Sequence, residues 1–445
     1  MNTPTAHITP PLTAQRAQDI ARSLDLRALP ADFLNNPYPV YAALRETEPF
    51  KRMPDGSFFL TRHADLVAVY RDAKVFSSDK QVEFGPKYNH APFNQAPLAT
   101  PGGVAPLFEH HTNSLVFNDP PLHTRVRRLI MGALTRRAIE AMEPGLVQLV
   151  DSLLDRIEAQ GGGDLIEDFA SAIPVEIIGN LLDVPQADRE PLRAWSLAIL
   201  GALEPALSPE QEALGNRSVT EFLAYLRELV AKRRQHPGDP EHDVLTRLIQ
   251  GEENGDALSE VELLHNCVFL LNAGHETTTN LIGNGLEALM RHRDQLERLV
   301  REPALIAPAI EELLRFESPL QLNNRLAGTD IVLPADPVSG RGEFTIAAGS
   351  FITLGVGAAN RDPEVFDDPQ RLDIARRPNP QLAFGHGAHA CAGMNIARLE
   401  ARVAIGRLVT RYPDIEPAAP AERDRRIRFR GFRKIPVALN PRSAR

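Results

Sequence analysis

A cysteine framed by glycines is the residue best placed to do chemistry in this sequence. Residues 384–393 read Phe-Gly-His-Gly-Ala-His-Ala-Cys-Ala-Gly, and Cys391 stands just before a stretch with apolar residues at helical spacing. We therefore expect Cys391 at a helix N-terminus, where unpaired N–H groups and the helix dipole favour an anion. That environment would keep the sulfur as a thiolate, the form that binds metal. The glycines would let a flat ligand approach the main chain closely.

Other interpretations of this stretch are weaker. A Gly-x-Gly-x-x-Ala pattern at 385–390 fits a relaxed dinucleotide-binding fingerprint, but a poor strand precedes it and no acidic residue lies in 401–412. A structural zinc site needs about four ligands, and this stretch supplies one histidine and one cysteine. A c-type haem attachment needs a Cys-x-x-Cys-His run, which the sequence lacks. A merely buried cysteine in a glycine-rich turn remains as the alternative.

A second chemical feature interrupts a long predicted helix. A capping-box sequence at residues 259–262 opens a helical run that reaches residue 293, and residues 273–278 inside it read Ala-Gly-His-Glu-Thr-Thr. Glycine and successive threonines are poor helix formers. Threonine hydroxyls can bond the carbonyl one turn back and bend the helix, which would open a groove beside Ala273 and Gly274. The alternative is a locally weakened helix whose hydroxyls are simply satisfied.

Two charged pairs stand at helical spacing elsewhere in the chain. His123 and Arg127 lie four residues apart on one helix face, which suits either a solvated basic surface or a bound anion. Glu312 and Arg315 lie three residues apart. The spacing of that second pair alone predicts an ordinary surface ion pair of little energy.

Together these motifs resemble those of the cytochrome P-450 family. Residues 384–393 match in full its haem-ligand signature Phe-Gly-x-Gly-x-His-x-Cys-x-Gly, and residues 118–128, 273–278 and 312–315 match three further motifs in the family's order. The resemblance covers roughly residues 35–440. It implies a mainly α fold with a small β region, in which haem lies between the long central helix and the helix that follows the cysteine.

The resemblance also implies roles for individual residues. It implies haem b with Cys391 as the iron ligand, and it places Glu276 and Thr277 as the acid and the alcohol of an oxygen-binding groove. It further implies that Glu312 and Arg315 form a buried structural pair. The other cofactor contacts that it implies are His123, Arg127, Ala273, Gly274, Arg325, Phe384, Gly385, His389 and Gly393.

The implied function is a monooxygenase reaction. One oxygen atom of O2 would enter a small or medium-sized organic substrate by hydroxylation, demethylation or epoxidation. Electrons would come from a separate ferredoxin and reductase, because no flavin or iron–sulfur segment is visible in the chain. Two alternatives stay open: a peroxide-driven peroxygenase, which would not need the pair Glu276 and Thr277, and a haem-binding sensor or carrier, which would need no proton relay.

The sequence also suggests where an electron donor would dock and which residues would line the substrate pocket. An acidic ferredoxin is expected to dock on the cysteine side of the haem, where local positive charge would steer it. The arginines expected there are Arg125, Arg128, Arg136, Arg137, Arg398 and Arg402. The amide-rich stretch 320–324 and Asn272 predict a substrate with an apolar body and at least one hydrogen-bonding group. The expected apolar wall is Phe269, Leu270, Val104, Leu107 and Phe108.

Composition narrows the class of protein. The formal charge is −9, from 49 basic and 58 acidic residues, which argues against a nucleic-acid surface. The two cysteines, Cys267 and Cys391, exclude a disulfide framework and suit a reducing compartment. The first 34 residues hold no apolar run of the length of a signal peptide or a spanning helix. We therefore expect a cytoplasmic protein without a membrane segment, folded as a single domain over residues 1–445 with a peripheral N-terminal segment at 1–35.

Periodicity predicts the elements that surround the motifs. The predicted helices cover 38–46, 64–71 and 308–316, besides the long run from 259 and the helix after Cys391. The predicted strands cover 58–61, 331–333, 344–346 and 351–354. Residues 80–118 are predicted to be irregular, and 334–342 to be an insertion between two paired strands.

Overall fold

Most of the described chain is helical. The computed structural model describes residues 13–79, 105–240, 243–253, 256–333, 335 and 342–439. The α-helices are α1 Ala14–Arg22, α2 Ala31–Asn35, α3 Tyr38–Thr47, α4 His63–Arg71, α5 Pro106–Asn113, α6 Leu122–Ala133, α7 Arg136–Glu140, α8 Glu143–Ala159, α9 Ala172–Leu181, α10 Glu190–Gly201, α11 Pro209–Gln235, α12 Val244–Gln250, α13 Glu260–Arg291, α14 Arg293–Arg301, α15 Ile306–Phe316, α16 Val356–Ala359 and α17 Met394–Arg411. The predicted mainly α architecture with a small β region is confirmed.

The strands are short and form small sheets. They are β1 Phe50–Arg52, β2 Phe58–Leu60, β3 Phe76–Ser77, β4 Gly162–Asp164, β5 Glu252–Glu253, β6 Asp256–Ala257, β7 Leu322–Ala327, β8 Ile331–Leu333, β9 Phe344–Ile346, β10 Phe351–Gly355, β11 Glu416–Pro417, β12 Glu422–Arg423, β13 Phe432–Lys434 and β14 Pro436–Ala438. The largest sheet has the order β1-β2-β10-β7-β3, with β10 parallel to β2 and its other pairs antiparallel. The strands β8 and β9 pair as predicted.

The long helix α13 runs through the centre of the helical region. Ser259 and Glu262 form the predicted capping box at its start, and Arg291 at its end suits the negative pole of the helix dipole. Its 32 residues span about 48 Å. It contacts α9, α10, α11, α15 and α17, so most of its surface is buried. The sequence predicted this helix correctly because the cap and the apolar periodicity agree.

The pair Glu312 and Arg315 is fully buried on α15. Nε and Nη2 of Arg315 donate to the Glu312 carboxylate at 2.7 and 2.8 Å, and neither side chain is exposed. Arg376 and the backbone N–H of Asp373 also donate to Glu312, at 3.1 and 2.9 Å. These bonds tie α15 to the segment that leads to Cys391. The prediction from spacing, a surface pair, is therefore wrong, and the role implied by the resemblance is confirmed.

Two regions differ from the expected pattern. Part of the segment predicted to be irregular forms α5, whose Leu107 packs against Gly215 of α11; residues 80–104 lie outside the described chain. The N-terminal segment, expected to be peripheral, buries one face of α1 together with Phe33 of α2. Most of the predicted insertion 334–342 also lies outside the described residues. In the described part of the chain, no helix combines the length and apolar character needed to cross a membrane.

Candidate haem and substrate cavity

A cavity lies between α13 and the loop that precedes α17. The residues predicted for the site that line it are His123, Arg127, Ala273, Gly274, Thr277, Phe384, Gly385, His389, Cys391 and Gly393. Glu276 and Arg325 are the two predicted residues that do not line it. The sequence motifs, which are spread over about 270 positions, are thus brought to one place by α6, α13 and the cysteine loop.

The cysteine loop is held by main-chain bonds and by glycines. The N–H of Cys391 donates to the carbonyl of Phe384 at 2.8 Å, which closes the loop. Gly385 and Gly387 adopt positive φ angles of 66° and 70°. A Cβ on Gly387 would stand 2.3 Å from the carbonyl oxygen of Tyr70, so only glycine fits there. The glycine requirement inferred from the sequence has this physical cause.

Cys391 lies three residues before the first residue of α17, so its predicted place at a helix N-terminus is confirmed. Burial nevertheless raises the pKa of its thiol, although the N–H of Gly393 and the charges of Arg127 and Arg398 oppose that shift. The helix end and these charges therefore oppose the effect of burial without cancelling it. Burial disfavours the thiolate form of Cys391. A bound metal cation would restore it, because a metal deprotonates a coordinating thiol.

A cluster of cations and an orphaned histidine marks one side of the cavity. His123 is buried, and neither ring nitrogen has a hydrogen-bond partner among the described residues. Its ring lies 3.9 Å, centroid to centroid, from that of His389. Nη2 of Arg127 donates to the carbonyl of Ala390 at 2.7 Å. Burial, Arg127 and Arg325 each lower the pKa of His123, so its neutral form is favoured.

Arg325 stands behind this corner. It is buried on β7, its Nη1 donates to the carbonyl of Asn324 at 2.7 Å, and its guanidinium lies 5.3 Å from the centre of the Tyr70 ring. Haem carries two carboxylates, and buried cations with free N–H groups are the partners such anions need. His123 and Arg127 line the cavity together with Cys391, and Arg325 lies behind it, so this donor set fits a haem.

The wall opposite the cysteine loop comes from α13. A Cβ on Gly274 would lie 2.4 Å from Cδ1 of Ile178, so a larger residue here would require the Ile178 side chain to move. Thr277 faces the cavity, and its hydroxyl donates to the carbonyl of Ala273 at 2.6 Å. This is the predicted back-bond to the preceding turn. The helix stays continuous through residues 273–278, so the groove comes from missing side-chain bulk rather than from a break.

Glu276 points away from the cavity. Its carboxylate is buried and forms an ion pair with Arg426, which is also bound by Asp424. Burial raises the pKa of Glu276 to about 7, although the charge of Arg426 opposes the shift. The predicted acid and alcohol therefore face different surroundings in this structure. Reaching the cavity would require the Glu276 side chain to leave Arg426.

Sequence reasoning missed three charged residues in this region. Glu400 of α17 lines the cavity, and burial raises its pKa to about 8. Arg426 and Arg428 belong to the run Arg-Ile-Arg-Phe-Arg at 426–430, in which charged and apolar residues alternate strictly, a pattern that by itself predicts an extended chain. That alternation was a readable signal. The burial of Glu400 was not, since a glutamate on an amphipathic helix is ordinarily exposed.

The predicted substrate wall is only partly correct. Phe269 and Leu270 line the cavity, and of the amide-rich stretch Asn323 does so as well. Leu107 and Phe108 are buried in the core beneath α11 instead, and Val104 lies outside the described residues. The other amides expected to face the ligand, Asn272, Gln321 and Asn324, do not line this cavity.

The amino-acid sequence is similar to those of known proteins from one family. The sequence model of the family described as "Cytochrome P450" matches residues 200–418. Cytochrome P450 107B1 of Saccharopolyspora erythraea is 38% identical over 421 residues, which are 93% of this chain and 97% of that protein. The vitamin D(3) 25-hydroxylase of Pseudonocardia autotrophica is 37% identical over 420 residues, with 93% and 96% covered.

A solved structure shows the same architecture. The crystal structure of P450BioI, in complex with an acyl carrier protein ligated to hexadec-9Z-enoic acid, superimposes with a TM-score of 0.82. It is 34% identical and covers 92% of this chain and 99% of its own. The similarity therefore extends over nearly the whole length of both chains, in sequence and in fold.

Proposed function

The chain belongs to the cytochrome P450 family and is a haem-dependent monooxygenase, and we propose that it oxidises a small or medium-sized organic substrate by hydroxylation, demethylation or epoxidation. For hydroxylation, a C–H compound, O2, two electrons and two protons give an alcohol and water. A separate ferredoxin and its reductase would supply the electrons. The relative named as a vitamin D(3) 25-hydroxylase supports the hydroxylation. The observation that carries the proposal is that Cys391 and Thr277 line one cavity.

The residues of the cavity divide the work of holding the cofactor. Haem, when bound, supplies the iron at which O2 is bound and activated. Cys391 would be its ligand, Arg127 and Arg325 would neutralise its carboxylates, and His123 would donate a hydrogen bond to one of them. Ala273 and Gly274 leave space on the opposite wall because they carry almost no side chain. Phe384, Gly385, His389 and Gly393 would shape the pocket around the ligand sulfur.

Proton handling would fall to Thr277 and Glu276. The Thr277 hydroxyl faces the cavity and donates its hydrogen bond to the carbonyl of Ala273. Its oxygen can therefore accept a hydrogen bond from water. Glu276 could donate a proton near neutral pH, since burial raises its pKa to about 7. It would have to turn from Arg426 first. Arg426 would thus control when the acid is available.

That outward orientation of Glu276 favours one second candidate, a peroxide-driven peroxygenase. Peroxide brings both oxygen atoms and its own protons, so an acid beside the cavity is not required. Product formed with NADPH, ferredoxin, reductase and O2 would support the monooxygenase. Product formed only when hydrogen peroxide is added would support the peroxygenase.

The ligand assignment has a direct test in the two cysteines. Cys391→Ser should abolish the thiolate-type Soret band of the reduced carbon monoxide complex, because Cys391 supplies the only sulfur among the described residues that line the cavity. Cys267→Ser should keep that band, since Cys267 is fully buried within α13 and burial raises its pKa to about 12. Loss of the band in the Cys267 variant alone would contradict the assignment.

Partners and location follow as proposals. We expect O2, a small organic substrate and the ferredoxin, and no nucleic acid, because the formal charge is −9. Both cysteines are free in the structure, which is compatible with a reducing compartment. We propose the cytoplasm as the location.

A further inference from the structure

Arg428 is a buried cation in the wall of the substrate cavity. Only 7% of the residue is exposed. It lies next to Phe429, whose backbone bridges that of Leu320, and all three residues line the cavity that holds Cys391 and Thr277. Main-chain bonds hold the segment in place, since the carbonyl of Arg428 accepts the N–H of Gln321 at 2.8 Å. The guanidinium is therefore positioned by a fixed backbone.

The guanidinium of Arg428 has no partner in the described part of the chain. Its Nε is buried without a hydrogen bond there, and no carboxylate of the described residues lies within 4 Å of its nitrogens. Oε2 of Glu204 accepts the backbone N–H groups of Ile427 and Arg428 at 3.1 and 3.3 Å, so these bonds fix the main chain of the segment.

The neighbouring arginines show that this is unusual. Arg426 pairs with Glu276 and Asp424, and Arg430 pairs with Glu317 at 3.0 Å. Arg430 also donates to two backbone carbonyls at 2.9 Å. An arginine stays charged when it is buried, and a buried charge without a partner is strongly unfavourable. Arg428 alone of the three is left for an anion from outside.

The position of Arg428 indicates how a molecule bound through its anionic group would lie in the cavity. Arg428 and Leu322 also line a second cavity, whose wall is more polar and includes Asp25, Arg27, Asp55, Ser57 and Asn324. Arg428 therefore stands where the two cavities adjoin, while Cys391 and Thr277 line the apolar first cavity. An anionic group at Arg428 would leave the rest of a molecule in apolar surroundings that include Phe269 and Leu270.

We propose that Arg428 binds the carboxylate of the substrate, so that the enzyme acts on molecules with an apolar body and one carboxylate. This inference rests on the proposed function and adds the substrate class. The carboxylate would accept paired N–H groups of the guanidinium, and the reacting carbon would lie remote from it, on the apolar side of the cavity. Arg428 is then a positioning and specificity residue.

The first test compares ligands that differ only in the head group. Haem-loaded enzyme is titrated with an alkanoic acid, its primary alcohol and the alkyl phosphate of the same carbon skeleton, by calorimetry and by the haem difference spectrum. Near pH 7 the acid is ionised, and it should bind about 10- to 100-fold more tightly than the alcohol. Equal binding of acid and alcohol would overturn the proposal. Tighter binding of the phosphate than of the acid would overturn the carboxylate assignment.

Variants of Arg428 test whether its charge, rather than the shape of its side chain, causes the preference for the acid. Arg428→Gln should abolish the preference for the acid, and Arg428→Lys should keep part of it. Arg27→Gln is the matched control, because Arg27 lines only the second cavity and already pairs with Asp55 at 3.3 Å. It should leave the preference unchanged. A preference that survives in Arg428→Gln, or is lost equally in Arg27→Gln, would contradict the assignment to Arg428.

A stability measurement tests the missing partner without any substrate. Replacing an unpaired buried cation by an apolar residue of similar length should not destabilise the protein. Arg428→Met should therefore keep or raise the Tm of the ligand-free holoenzyme. A clear fall in Tm would reveal a partner within the protein and overturn the proposal. Absence of the thiolate-type spectrum from the unmodified enzyme would instead refute the proposed function itself, so the two failures are distinguishable.

Discussion

Glu400 shows how burial changes the chemistry of one residue. It lies on α17 in the wall of the cavity, and burial raises its pKa to about 8, although a hydrogen bond with the Thr278 side chain opposes the shift. At neutral pH it is therefore mostly a protonated acid. A neutral carboxyl can donate a hydrogen bond, and it adds no negative charge to the cavity in which we propose that Cys391 binds iron as a thiolate.

We predict that Glu400 makes stability fall as pH rises. The folded state holds a proton up to about pH 8, whereas an unfolded glutamate releases it near its ordinary pKa of 4.5. The folded protein thus binds more protons between these values, and its free energy of unfolding decreases as pH rises, by up to about 1.4 kcal/mol per pH unit. Denaturant unfolding between about pH 5.5 and 8 measures this decrease. In Glu400→Gln the free energy of unfolding should fall less steeply with pH than in the unmodified protein. Parallel curves for the two proteins would contradict the shift.

Thr277 gives a second prediction at this scale. Thr277→Ala should leave substrate binding nearly unchanged and lower the product formed per NADPH consumed by roughly an order of magnitude, because the hydroxyl acts only after O2 has bound. The matched control is Thr279→Ala. Thr279 makes the same back-bond, to His275 at 3.0 Å, but does not line the cavity. Unchanged coupling in Thr277→Ala, or equal losses in both variants, would remove Thr277 from the mechanism.

The types and spacing of residues in the sequence predicted which residues lie near the cavity. They did not predict the direction of each side chain. Cys391 and Gly387 were predictable because local backbone geometry demands them. The orientation of Glu276 depends on Arg426, which is 150 positions away, and no local pattern contains that contact. The raised pKa of the Cys391 thiol likewise depends on how the folded chain excludes water.

At the scale of elements, the cysteine loop is held from outside by α15. Glu312 accepts bonds from Arg315 and Arg376 and from the backbone N–H of Asp373, and Arg315 in turn donates to the carbonyls of Asn360, Pro369 and Arg371. One buried ion pair thus fixes the irregular chain between β10 and α17. The position of Cys391 depends on that chain.

Breaking this pair should destabilise the whole fold. Arg315→Ala would leave Glu312 charged and buried without its main partner, and we expect a loss of about 3–5 kcal/mol in the free energy of unfolding. The matched control, Arg298→Ala, removes a partly exposed arginine that binds Asp373 at 3.3 Å. It should cost about 0–1 kcal/mol. Chemical denaturation of both variants decides; equal losses would show that burial does not distinguish the pairs.

The helix α13 was predictable because a capping box and an apolar stripe agree, and α15 and α17 were predictable from apolar periodicity alone, since neither has a side-chain cap. The helix α5 was not, because Pro106 and the glycines and prolines before it indicate irregular chain. Its stability comes from distant contacts: Leu107 packs on Gly215, and the N–H of Leu107 donates to Asn216 at 3.0 Å. Such tertiary support outweighs local propensity. The sheet order likewise depends on distant pairing, because β2 and β10 pair residues that are 294 positions apart, such as Phe58 and Ile352.

For the whole molecule, charge pairing changes the expected docking surface. Most of the arginines expected to form a positive patch have acidic partners. The pairs are Arg125 with Glu262, Arg128 with Asp256, Arg136 with Glu140, Arg398 with Glu311 and Arg402 with Glu143. A paired arginine projects a weaker field than a free one. Steering of an acidic ferredoxin would therefore require some of these exposed pairs to open on contact.

The pair Arg402 and Glu143 is suited to such opening, because the two side chains are 43% and 45% exposed and their bond of 2.9 Å competes with water. Arg402→Glu would place an acid on α17, which follows the cysteine loop, beside Glu143 of α8, and the two acids would repel an acidic donor. We expect the ferredoxin-dependent reduction rate to fall about threefold or more, and to fall with rising salt in the unmodified enzyme. Arg433→Glu, which also removes an exposed and paired arginine, is the control and should change the rate little. A rate indifferent both to salt and to Arg402→Glu would place the electron donor on another surface.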